Sequence, residues 1–184
     1  MSRKYKFHNP QGVYFVSFAV IHWMDVFTRR IYKDILIESL QYCIDKKGLI
    51  VHAYVIMTNH VHLIISQGKT EQGLPFILGD FKKFTSRKLI HNIEFNPRES
   101  RREWMMRAFR SAGALNPNNK EFQFWQQHNQ PIELTSNLMI EQKVEYIHLN
   151  PVEAGIVFNA EDYLYSSAED YAGGKGLLKI ELLW

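Results

Sequence analysis

Apolar and polar positions divide the chain into strands and helices by their spacing. Val13 to Trp23 is dense in β-branched and aromatic residues and predicts a strand. After Thr28, which suits a helix cap, Ile31, Ile35, Leu36, Leu40 and Ile44 recur at helical spacing. The helix they predict runs to about Lys47 and ends at Gly48. Leu49 to Met57 predicts a second strand, Thr58-Asn59 a turn and His60 to Ser66 a third strand. Gly68 to Gly73 reads as a loop.

Leu74 to about Ile93 has a second helical pattern. Phe76, Ile77, Phe81, Phe84, Leu89 and Ile93 are its apolar positions, and Lys82, Lys83, Arg87 and Lys88 its polar ones. Asn96 to Glu103 is charged and reads as a mobile segment. Trp104 to Leu115 predicts a short helix and Asn116 to Lys120 a turn. Glu121 to Gln127 predicts a fourth strand with Phe122 and Phe124 on one face. Ser136 caps a helix from about Asn137 to Asn150, which Pro151 stops. The pattern from Ala160 onward assigns no element.

The order β-α-β-β-α-β-α predicts an α+β fold: a ferredoxin-like βαββαβ sandwich with an added C-terminal helix. One domain over 1–184 accounts for the chain, with a core of about 10–158 and a tail of 159–184. That fold hosts many functions, so function must come from side chains.

Composition narrows the classes. Hydrophobic residues make up 46% and charged residues 22%, the balance of a folded globular chain. One cysteine, Cys43, excludes an intrachain disulfide and a cysteine-rich zinc site. Met1 to Asn9 lacks a leader-type apolar run, and no stretch has the ~18 apolar residues of a membrane span. A cytoplasmic, nucleoid-associated protein is expected. The net charge is only +3, but Lys82 to Arg110 holds nine Lys/Arg against three Glu. That tract carries +6 and the remainder −3, which suits either a DNA-backbone footprint or a solvated helix face.

Tyr54 to Ile65 reads YVIMTNHVHLII. Strand side chains alternate, so His60 and His62 share one face while Val61, Leu63 and Ile65 turn to the core. Two imidazoles about 6–7 Å apart along a strand can converge on a metal ion. Taken alone, the pair reads first as two histidines on a half-exposed face. His8, His22, His52, His91, His128 and His148 have no spacing that forces one of them to join it.

Lys143 to Gly155 reads KVEYIHLNPVEAG. Tyr146 and Asn150 stand four apart on one helix face, so a phenol and an amide oxygen can address one point. His148 faces elsewhere. The other reading is a packed tyrosine and a terminating Asn-Pro pair.

Both segments together resemble the HUH and tyrosine-helix motifs of single-tyrosine transposases (the IS200-like domain). The resemblance is to the REP-associated tyrosine transposase branch. FKKFTSRKLI, FWQQHNQPIEL and EDYLYSSAEDY are also similar to that branch, and the similarity spans most of Tyr54 to Tyr171. Thr58 departs from it, standing where proline is frequent. The resemblance implies His60, His62 and Asn150 as ligands of a divalent metal ion, Mg or Mn. It implies Tyr146 as the nucleophile, forming a 5′-phosphotyrosine with single-stranded hairpin DNA. Both a monomer and a homodimer occur among such proteins.

Lys82, Lys83, Arg87, Lys88, Arg101, Arg102 and Arg110 are the expected DNA-binding residues, with Arg98 and Arg107 beside them. Trp104 and Trp125 suit either core packing or stacking on unpaired bases. Two other functions suit the same residues: a metal-dependent nuclease that activates water, and a hairpin-binding regulator descended from a transposase.

Overall fold

The computed structural model describes residues 7–70, 72–116, 121–127 and 130–184. His128 and the turn segment 117–120 lie outside them. Four strands form one antiparallel sheet: β1 (Tyr14–Ala19), β2 (Leu49–Ile56), β3 (His60–Gln67) and β4 (Ile132–Glu133), in the order β2-β3-β1-β4. This is the ferredoxin-like arrangement, with β3 inserted between the two strands that α1 (Arg30–Lys47) connects. The remaining helices are α2 (Leu74–Phe95), α3 (Arg102–Ala114), α4 (Asn137–Glu153) and the short α5 (Ala168–Tyr171).

Registry assigns the two faces. Ala19 pairs with His60, Ser17 with His62 and Phe15 with Ile64, so these six residues share one face, under α4. Val16, Phe18, Val61, Leu63 and Ile65 occupy the other and are buried beneath α1 and α2, where Phe18 meets Phe81. Gly48 ends α1 in a left-handed conformation (φ 70°), its N–H donating to Cys43 O. The Ser136 Oγ caps α4 by accepting from Met139 N–H.

Four expectations shift. The helix predicted from Thr28 begins at Arg30; Thr28 lies in a 3₁₀ turn (Val26–Thr28) and its hydroxyl accepts from Arg101 instead. The fourth strand is Ile132–Glu133, not 121–127. In the latter segment Phe124 and Trp125 are both buried, so the burial does not alternate. It makes a single bridge, Val20 to Trp125. The segment around Glu99 is ordered by ion pairs rather than mobile. Pro151 does not stop α4. Its missing N–H falls in the last turn, where Ala154 N–H still bonds Asn150 O, and the chain leaves at Gly155 (φ 68°).

The tail, unassigned by pattern, covers the outer edge of β2. Ile56 N–H donates to Tyr165 O, Ser167 N–H to Tyr54 O and Glu181 N–H to Val51 O. An edge strand that would otherwise offer free backbone groups is closed in this way.

Candidate active site

β3 carries the histidine pair on the α4 face, their ring centroids 4.7 Å apart. His62 is nearly buried. Its Nδ1 lies 2.7 Å from Ser17 Oγ on the neighbouring strand, and Phe15 stacks on its ring. α4 crosses above and brings Tyr146 to it: the phenol oxygen is 3.4 Å from His62 Nε2, and the rings are 5.2 Å apart. One helical turn on, the Asn150 side chain faces His60 and acts to raise that ring's pKa. Tyr146 remains 41% exposed, so the hydroxyl stands at an open rim rather than in the core.

A second set of contacts fixes His60. Asp25 Oδ1 accepts from Thr58 Oγ1 (2.6 Å) and from Asn59 Nδ2 (3.0 Å), and Trp23 O accepts from the same amide (3.2 Å). The Asn59 amide is therefore oriented with its oxygen toward His60 Nδ1, 2.6 Å away. This assigns the proton to Nδ1 and leaves the Nε2 lone pair free, the usual arrangement behind a metal-ligating histidine.

Electrostatics favour unprotonated rings. Burial lowers the pKa of His62, and the neighbouring His60 and Lys143 lower it further, to about 3. Burial also lowers that of His60, against the opposing pull of Asn150 and Asp25. Two neutral imidazoles and one amide oxygen form a donor set suited to a divalent cation. Among the described residues no cluster of three His, Cys, Asp or Glu offers another.

Sequence reading missed Lys143. Its Nζ lies 4.8 Å from the Phe15 ring centre and 5.3 Å from that of Tyr146, one helical turn before the tyrosine. The i−3 spacing was visible, but a lysine on an exposed helix carries no signal until the opposite face is known. His52 and His148 are occupied elsewhere: His52 lies between Glu181 O and Ser66 Oγ, and His148 Nε2 lies 2.9 Å from Ser167 Oγ.

The basic tract is less concerted. Lys82, Lys83, Arg87 and Lys88 sit on α2, on the other side of the sheet from Tyr146. Lys82 is half-buried, donates to Gln126 O and has a pKa lowered to about 8 by burial. Lys83 and Arg87 are exposed and, with Lys82, line a groove of about 530 Å³ between α2 and residues 121–127. Lys88 pairs with Glu38 and Arg110 with Glu94, while Arg101 is held by Glu99, Asp25 O and Thr28. Arg102 is exposed at the start of α3. Trp125 is buried, its indole N–H donating to Thr85 Oγ1, whereas Trp104 is half exposed.

Comparison with known proteins decides the family. The model of the IS200-like transposases matches residues 13–112, from just before β1 into the last turn of α3 and including both histidines. The chain belongs to the IS200-like transposase family. It is thus a transposase, a DNA-binding enzyme of DNA transposition. The tyrosine helix lies beyond the matched span.

Among solved structures, a REP-associated tyrosine transposase bound to a REP hairpin is similar to this transposase over 100% of its length and 94% of the other chain. The identity is 16% and the TM-score 0.62, a likeness of fold. A candidate transposase from Deinococcus radiodurans R1 is 16% identical, with 79% of this chain and 95% of that one covered and a TM-score of 0.46. A search of curated proteins found no significant match. Among the described residues no helix is long and apolar enough to cross a membrane.

Proposed function

We propose that this transposase cleaves and rejoins single-stranded DNA through a 5′-phosphotyrosine at Tyr146, with Mg²⁺ or Mn²⁺ held by His60, His62 and Asn150. The observation that carries the reading is the convergence of Tyr146 and Asn150 on the histidine pair. The phenol oxygen stands 3.4 Å from His62 Nε2, and the Asn150 side chain faces His60. The fit to a metal rests on the neutral rings and on the Asp25–Asn59 support that aims His60 Nε2 outward.

When bound, the cation polarises a non-bridging phosphate oxygen and stabilises the charge that grows there. The protein's own groups do the rest. Tyr146 Oη attacks phosphorus, the P–O3′ bond breaks, and the phenol's proton is lost as the 3′-oxygen gains one. Phe15 and the α4 backbone hold the ring so that its oxygen faces the histidines. Lys143, against the same ring, adds positive charge beside the incoming phosphate. The phosphotyrosine conserves the energy of the broken bond, so a second 3′-OH can reverse the step without ATP.

The hairpin seen on the solved relative motivates a hairpin substrate with unpaired flanks. Lys83 and Arg87 line a groove that suits its backbone, with Lys82, Lys88, Arg101, Arg102 and Arg110 adding to the field.

The test is a denaturing gel of protein incubated with Mn²⁺ and a 3′-labelled hairpin taken from repeats beside its gene. A labelled band near protein mass, lost with EDTA and in Tyr146→Phe, is expected. Cut fragments without that band would instead identify a water-using nuclease, and a native-gel shift without cutting a binding protein.

A further inference from the structure

We infer that the Trp23 indole is a stacking platform for an unpaired nucleobase adjoining the scissile phosphate, an inference that rests on the catalytic reading above. Among the described residues, His22 and Trp23 are the two non-glycine residues with positive φ, both at 54°. They are consecutive. In that conformation each Cβ presses on its carbonyl oxygen, so the segment keeps its shape only because its surroundings impose it.

The constraints are visible. Trp23 N–H donates to Val20 O and Met24 N–H to Ile21 O, while Ile21 N–H reaches across to Phe124 O. Ile21 and Met24 are buried below.

That strain yields an unusual product. The largest apolar side chain in the segment is turned outward, 58% exposed, with its ring edge-on to His60 at 5.8 Å between centroids. A tryptophan at the surface wastes apolar area unless something covers it. The backbone at Trp23 already has a task, since its carbonyl accepts from Asn59 Nδ2. Any residue supplies a carbonyl, so this role does not explain the indole.

The occupant follows from position. A phosphate bound at His60 and His62 carries a nucleoside on each side, each base one sugar away. A flat, electron-rich ring bordering His60 meets such a base face to face. Stacking of this kind tolerates any base and fails for a paired duplex, whose bases are already stacked. Phe76, Phe84 and Phe95, also exposed, lie along α2 on the far side of the sheet and cannot perform this task. Trp125, which sequence reading offered for stacking, is buried and bonded to Thr85 instead.

The experiment uses the full chain and a fluorescein-labelled stem-loop with unpaired oligothymidine tails. An abasic nucleotide is scanned through the tails, and affinity is read by anisotropy in EDTA for wild type, Trp23→Ala and Trp23→Phe, with circular dichroism as the folding control. Wild type should lose affinity by about tenfold or more when the abasic site occupies the stacked position. Trp23→Ala should bind the intact probe weakly and show no further loss at that position, while Trp23→Phe keeps most of both effects. An abasic profile unchanged by Trp23→Ala would overturn the inference. Should Trp23→Ala misfold, Trp23→Phe with a flat wild-type profile would overturn it equally. The catalytic reading stands or falls separately, on the metal-dependent adduct at Tyr146.

Discussion

The histidine–tyrosine site and the basic tract from Lys82 to Arg110 both point to DNA, and they are built in opposite ways. In the site, every side chain is aimed by regular backbone. β3 puts two imidazoles on one face, and α4 stacks Lys143, Tyr146 and Asn150 above them. In the tract, positive charges are numerous but many are used within the protein. Arg101 joins Arg29 around the carboxylate of Glu99, whose side chain is fully enclosed. Arg110 and Lys88 pair with glutamates, and Lys82 is half-buried. Direction along a strand or helix is a fixed geometric consequence of periodicity, whereas the use of a surface charge depends on whatever the fold sets beside it.

The largest effects are expected in the site. Tyr146→Phe is expected to abolish the covalent adduct while hairpin affinity, read by anisotropy, stays within about twofold of wild type. His60→Ala or His62→Ala should remove metal-stimulated cleavage, a loss of about a hundredfold or more. Full activity in either variant would show that the pair holds no catalytic metal.

Glu99 tests the other region's structural use. Glu99→Ala removes the carboxylate that accepts from Arg29, Arg101 and Tyr32 Oη. It should cost about 2 kcal/mol in urea denaturation, below the range for fully buried pairs because both arginines are partly exposed. The same carboxylate sets a pH dependence. Burial alone would raise its pKa, but Arg101 and Arg29 outweigh it and hold the group at about 2. Its folded pKa lies below the unfolded one, so its stabilisation is present above about pH 4.5 and lost as pH falls toward about 2. The stability gap between wild type and Glu99→Gln should narrow over that window. A constant gap would remove Glu99 as its source.

Asp25→Ala should raise the Mn²⁺ concentration for half-maximal cleavage by about tenfold, by freeing Asn59 and hence His60, with the rate at saturating metal little changed. Lys83→Ala and Arg87→Ala should each weaken binding slightly and reduce the salt slope of log K by about one unit, with no change in the rate on saturating DNA.

Much of this was legible beforehand. The strand alternation of NHVHLII and the four-residue step from Tyr146 to Asn150 set the site's geometry before any tertiary contact was known. The ferredoxin-like order also emerged from spacing, although its last strand did not. Ile132–Glu133 is two residues long and half exposed, too short to carry a period, while the aromatic run Phe122 to Trp125 imitated one. Asp25 and Trp23 were invisible for a different reason. Their roles depend on a left-handed turn that packs against the β2–β3 connection, and neither residue belongs to a repeating pattern.

The central claim is that one named tyrosine carries the DNA. Protein incubated with Mn²⁺ and cleavable hairpin would be trypsinised, treated with nuclease and mapped by tandem mass spectrometry. Fragment ions should place a nucleotide mass on Tyr146 itself and on none of the other eight tyrosines, three of which share its tryptic peptide. A nucleotide on a different residue, or cleaved DNA with no modified peptide, would contradict it.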